Sequence, residues 1–237
     1  MEHQASAAPS RPPRAKPAPD ADRNPLQRPW WFAALAVIQA LIGLGLIAQP
    51  RQPTLASLLT AAVALSLSFD NAVIACGRQL EHGRWLAPLG NCRYLLHIVV
   101  TPMLLPLSVM IGKASGVGFG TEIVAVSWLV SATWISANWW VCFRNLELRM
   151  IAEGRVIFQK NNNRKGQPWI DLPYVLLTIM ILIIGGLSSS AGIRQALLSG
   201  GIAMLLSEFL AERWGRSFSN LGEMVLLGCL VYAVGQI

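Results

Sequence analysis

Charge is scarce in this chain. Asp, Glu, Lys and Arg make up 13% of its 237 residues, against ~25% in a soluble globular domain, which excludes an ordinary water-facing surface over most of its length. Cysteine is scarce too. Cys76, Cys92, Cys142 and Cys229 form no C-x-x-C pair and no zinc-ligand spacing, so zinc-ribbon and thiol-redox classes fall away. Three of these thiols lie at helix ends that read as cytoplasmic, where cysteines stay reduced, and they are expected to be small packing residues. Of the three histidines, His3 lies in a tail, His82 in a loop and only His97 in an apolar run. That is too few for a zinc site or for a haem with two histidine ligands. No metal-binding Asp cluster or nucleophile motif is present. The glycine-rich 112–120 segment is not a phosphate cradle, because Lys113 precedes the glycines instead of following them. Neither a cofactor nor a metal is implied.

What the chain has instead is apolar length. Hydrophobic residues are 54% of it, gathered in runs at 30–49, 55–76, 94–112, 122–143, 172–190, 193–210 and 220–236. A helix of about twenty apolar residues is what a bilayer's hydrocarbon core demands. The fold class expected is therefore all-α, a polytopic transmembrane bundle of about seven spans. Sixteen of the nineteen Lys and Arg residues fall in alternate gaps between the runs. Arg51, Lys113 and Arg194 are the three that do not. Because basic residues collect in cytoplasmic loops, the N-terminus is expected inside and the C-terminus outside. The net charge of +7 follows loop position and builds no nucleic-acid motif. The partner it fits is the lipid bilayer, at about 1 kcal/mol per basic residue near anionic headgroups. Fifteen Arg against four Lys point to a GC-rich bacterial genome, and hence to the bacterial cytoplasmic (inner) membrane.

Two segments stand outside the spans. Residues 1–29 hold seven of the fourteen prolines with no apolar periodicity and read as a disordered cytoplasmic tail. The run that follows is too long for the apolar region of a cleaved signal, so residues 30–237 are taken as one transmembrane domain. Residues 144–171 form the longest cytoplasmic loop. Their first half is patterned compatibly with a helix that extends helix four or lies on the membrane surface, and the loop is a candidate for a cytoplasmic partner.

The chemistry concentrates on a few polar residues. Asp70-Asn71 interrupts helix two, and a carboxylate at a bilayer's centre costs about 2.5–3.5 kcal/mol, so it should face a partner or a wet cavity. Six residues separate Asp70 from Cys76, about 9 Å at 1.5 Å each, which places it in the inner half. Arg78 follows Asn71 by seven residues, on nearly the same face. Arg93 and His97, spaced i,i+4 at the start of helix three, share a face. Asn138 lies near the inner end of helix four, Glu208 at the end of helix six, and Glu223 at the start of helix seven. Snorkelling accounts for Arg78 and Arg93 but poorly for the shorter Asp70, His97 and Asn138. Together these residues define one expected cytoplasm-facing polar pocket. Pro102 and Pro106 kink helix three beside it.

The stretch Leu67-Ser68-Phe69-Asp70-Asn71-Ala72-Val73-Ile74-Ala75 resembles the Ser-x-Asp-Asn element of TerC-type membrane proteins, a superfamily associated with export of metal ions and small solutes. The resemblance covers one helix. Ala64 stands where an acidic residue would precede the aspartate, and no second Asp-containing copy follows, so no function is carried over. The residues themselves point first to a carrier of protons, ions or a small solute. An enzyme acting on a lipid or isoprenoid headgroup is the second reading, with Arg78, Arg84 and Arg93 holding phosphate and His97, Asp70 or Glu223 as acid or base. A non-catalytic membrane assembly or scaffold protein is the third.

Overall fold

The computed structural model describes residues 25–49, 53–81, 83–144, 146–162, 167–215 and 217–237. The proline-rich tail to residue 24, Arg51 and His82 lie outside the described residues. After a 3-10 turn at Pro25–Gln27 come α1 (Pro29–Ile47), α2 (Leu55–Ala75), the single turn α3 (Gly77–Leu80), α4 (Leu86–Ala114), α5 (Thr121–Asn138), a π-helical turn (Trp139–Phe143), strands β1 (Leu148–Glu153) and β2 (Val156–Asn161), α6 (Gln167–Leu187), α7 (Ala191–Trp214) and α8 (Ser217–Gly235). Five of these helices, α1, α2, α4, α7 over Ala191–Ala211, and α8, are long and apolar enough to cross a membrane, with mean hydropathy from 1.2 to 2.0. That fits a multi-pass membrane protein. Helix α5 is diluted by Thr121, Glu122 and a scatter of Ser and Thr, and α6 is apolar over Val175–Leu187.

Local chemistry explains the boundaries. Pro29 opens α1, where its missing N–H costs nothing. Thr54 caps α2 by accepting the Ser57 backbone N–H at 3.1 Å. Helix α4 begins two turns before the expected position 94, because Leu86, Ala87 and Leu89 continue the apolar pattern and Pro88 falls in the first turn, where no hydrogen bond is lost. Arg93 is consequently an interior residue of α4. Pro106 cannot donate to the Pro102 carbonyl, and Ser131 Oγ of α5 donates to that carbonyl instead, at 2.8 Å.

The packing is helical except at one place. Helices α1 and α2, α6 and α7, and α7 and α8 form successive antiparallel contacts, with α4 against α2, α5 and α6. Glycines permit the closest approaches. A Cβ on Gly201 would meet Leu182, and one on Gly185 would meet Leu197, the small-residue packing expected of the α6–α7 pair. The main core gathers Leu107, Ile111, Ile184, Leu197 and Leu230, each at most 1% exposed. Outward faces are apolar: Leu41, Leu129 and Phe209 are 64%, 68% and 67% exposed, a surface suited to acyl chains.

The expected helix in the 144–171 loop is corrected to an antiparallel β-hairpin pairing Leu148 with Asn161 and Glu153 with Val156. Gly154 takes φ +58° at the first position of the two-residue Gly154-Arg155 turn, the glycine position of a type II′ hairpin. Val156, Ile157 and Phe158 supply strand-forming side chains. Val156 and Phe158 pack on Phe32, Ile74 and Ala75. Cys76 and Cys92 are also corrected: both are exposed free thiols, not packing residues, because they sit where α2 and the first turns of α4 leave the core.

Candidate functional site: a buried Asp–Arg–His cluster

Helix α2 places Asp70 opposite one face of α4. Arg93 and His97, one turn apart on that face, both reach it: Arg93 Nε donates to Asp70 Oδ1 at 2.5 Å, and His97 Nε2 stands 3.3 Å from the same oxygen. Asp70 is 3% exposed and Arg93 2%. A carboxylate in such surroundings keeps its charge only beside a cation, and a guanidinium cannot be deprotonated in a protein. Arg93 is thus the fixed counter-charge, and His97 is the titratable neighbour of the pair. The Nη1 of Arg93 is buried and meets no acceptor among the described residues.

His97 continues outward. Its side chain is 29% exposed and lines a cavity of about 40 Å³ with Glu223, Ser66 and Thr101 among apolar neighbours that include Val63, Leu104 and Leu227. A water needs roughly 10–15 Å³ of such volume, so the cavity has room for about three waters. From Asp70 to Glu223, the polar groups of α2, α4 and α8 thus lead into one small chamber.

A second polar chain runs beside the first. Asn220 Nδ2 of α8 donates to Asn71 Oδ1 at 2.5 Å, and Asn71 Nδ2 donates to Gln39 Oε1 of α1 at 2.9 Å. Gln39 and Asn71 are fully buried, and Asn220 is 2% exposed. Amides linked at this depth fix the registers of three helices, although Gln39 Nε2 itself meets no acceptor among the described residues. Sequence reasoning singled out Asn71 but missed Gln39, Asn220, Ser66 and Thr101. Gln39, an amide inside an otherwise apolar run, was the available signal.

The other expected site residues divide. Arg78 is exposed and takes no part in the cluster. Arg84, also exposed, lies 5.3 Å from the Trp85 ring centroid. Glu208 accepts from Ser219 Oγ across the α7–α8 seam, and Asn138 is buried where α5 passes into the π-helical turn. The pocket was expected to stand open at its inner end, yet at Asp70 and Arg93 it is closed. The hairpin packs there, with Ile157 O over Gly77, Gln159 Oε1 over Gly90, and the Asn161 N–H donating to Tyr94 Oη at 2.7 Å. Among the described residues no three His, Cys, Asp or Glu side chains gather as a metal site.

Comparison with protein-family models, with curated proteins and with solved structures found no match. The short likeness in α2 therefore stands as a resemblance of one helix, and the functional reading rests on the geometry of the cluster.

Proposed function

We propose that this chain carries protons, or an ion of similar size, across a membrane through the Asp70–His97–Glu223 path. The observation that carries the reading is the sharing of one buried carboxylate oxygen by a permanent cation and by a histidine that opens onto a chamber with a second carboxylate. Intramembrane ionisable groups arranged in this way serve proton relays and ion paths, and imidazole exchanges protons near neutral pH. In the proposed sequence, Glu223 and the chamber's waters pass a proton to His97. Asp70, held charged by Arg93, stabilises the imidazolium that forms. The chamber's size supports this reading over an enzyme for lipid headgroups, which are many times larger than about three waters.

The proposed topology has seven spans, with the N-terminus and the hairpin on the cytoplasmic side of a bacterial inner membrane. Its support is that segments assigned to that side touch one another: Ser217 Oγ donates to Leu26 O, the Arg155 N–H donates to Gln27 O, and the hairpin covers Gly77 and Gly90. Segments assigned to the other side also meet, Ser189 with Ser115. The test is proton flux into proteoliposomes under an imposed pH gradient, followed with an entrapped pH dye. Asp70→Asn is expected to reduce flux at least tenfold. Undiminished flux rejects the relay and leaves the assembly role.

A further inference from the structure

The hairpin has two edges, and the bundle covers only one of them. Its phase follows from the two-residue turn, which closes Glu153 and Val156 as a hydrogen-bonded pair. The Asn162 N–H, donating to Glu147 O at 2.8 Å, keeps the same phase at the other end. Odd-numbered residues of β1 therefore bond to β2, and the backbone groups of Leu148, Met150 and Ala152 point the other way. On β2 the outward groups are those of Ile157, Gln159 and Asn161, and helices meet them: Ile157 O lies against Gly77, and the Asn161 N–H donates to Tyr94 Oη. On β1, Leu148, Met150 and Ala152 make no hydrogen bond outside the hairpin among the described residues. Met150 is 52% exposed. The register runs unbroken over six pairs, so neither a bulge nor a proline blunts this edge in the way edges are commonly blunted.

Two features of the strand select the occupant. Its open backbone groups recur at every second residue, about 7 Å apart. Another extended backbone matches that spacing, and a lipid headgroup, which has no such ladder, does not. The second feature is charge. Arg149 and Lys160 stand directly opposite each other, both exposed, and neither has an acidic partner among the described residues. Like charges so placed repel. A strand added antiparallel to β1 sets one residue opposite Arg149 in a non-hydrogen-bonded pair, where side chains come closest. An acid at that position faces both cations. Two residues along, the same face presents Ile151, which suits an apolar neighbour.

We infer that the open edge of β1 binds an extended acidic segment of a partner protein. The segment's backbone pairs with Leu148, Met150 and Ala152, and one Asp or Glu faces Arg149 and Lys160. The inference is independent of proton carriage, and flux plays no part in its test. Purified full-length protein in detergent micelles is titrated with the fluorescent peptide Thr-Val-Thr-Glu-Thr-Val-Thr and read by anisotropy. Saturable binding is expected, about fivefold tighter than for the same peptide with Lys in place of Glu. Arg149→Glu should reverse that preference. Met150→Pro removes an N–H that the hairpin does not use and is expected to abolish binding, while unchanged tryptic cleavage at Arg155 shows that the hairpin stands. Should Met150→Pro disturb the hairpin, the native chain decides: N-methylation of the two threonines flanking Glu should abolish binding, and retained binding rejects the edge. The absence of saturable binding, equal affinity for the acidic and basic peptides, or full binding to an intact Met150→Pro chain overturns the inference. So does a native chain that refuses the peptide and forms a dimer that Met150→Pro dissociates, since the occupant is then a second copy.

Discussion

Asp70 is the residue on which the account turns, and its surroundings settle what kind of charge it is. A lone carboxylate among acyl chains would be expelled or neutralised; one that receives Arg93 Nε at 2.5 Å inside the bundle is half of a desolvated ion pair. Such pairs add little net stability, but removing one partner strands the other. Arg93→Met is therefore expected to destabilise the protein by about 3–5 kcal/mol in denaturant unfolding from detergent micelles. The double variant Asp70→Asn/Arg93→Met should regain much of that loss. Equal losses in single and double variants would mean that the two side chains do not depend on each other. The aspartate and the i,i+4 spacing of Arg93 and His97 were legible in the sequence, because charge in an apolar run is conspicuous and helical spacing dictates a shared face. The partnership of Gln39, Asn71 and Asn220 was not, since an amide carries no charge penalty and its partners come from helices distant in the chain.

At the scale of elements, the β-hairpin is what covers the Asp70–Arg93 end of the bundle. It can approach α3 and α4 only because Gly77 and Gly90 carry no side chains: a Cβ at either position would lie 1.7 Å from Ile157 O or from Gln159 Oε1. The contact at Gly77 is with backbone, which cannot rotate away. Gly77→Ala is expected to lift the hairpin and to speed tryptic cleavage at Arg155 by tenfold or more in limited proteolysis. Cleavage at the native rate would show that the hairpin does not rest on this contact. The sequence pattern was misread here as helical, since a mixed apolar and charged segment of this length satisfies both periods. The type II′ glycine between Glu153 and Arg155, followed by Val-Ile-Phe, was the discriminating signal. The prolines inside α4 were legible, in contrast, but the serine of α5 that meets the Pro102 carbonyl was not, because that pairing depends on tertiary placement.

Over the whole molecule, a helix of 18 to 29 residues lies over each of the seven apolar runs, and five of them meet the length and hydropathy of a membrane span. Run length is a one-dimensional property, which is why the helices could be read from the chain alone. The chamber could not, because it is built from three helices whose facing residues are fixed only by packing. The proposed sidedness predicts that, in a background without other reactive cysteines, Lys113→Cys is labelled by an impermeant maleimide in intact cells, and Arg84→Cys only after permeabilisation. Labelling of Arg84→Cys from outside would invert the bundle.

The central claim is that His97 joins a buried carboxylate to a wet chamber and passes protons between them. His97→Gln tests it most directly, since this change spares the Asp70–Arg93 pair and so spares the fold. In proteoliposomes under a pH gradient, matched for protein content and unfolding midpoint, the native chain should pass protons and the His97→Gln chain at least tenfold fewer. Equal proton flux in the two would contradict the account.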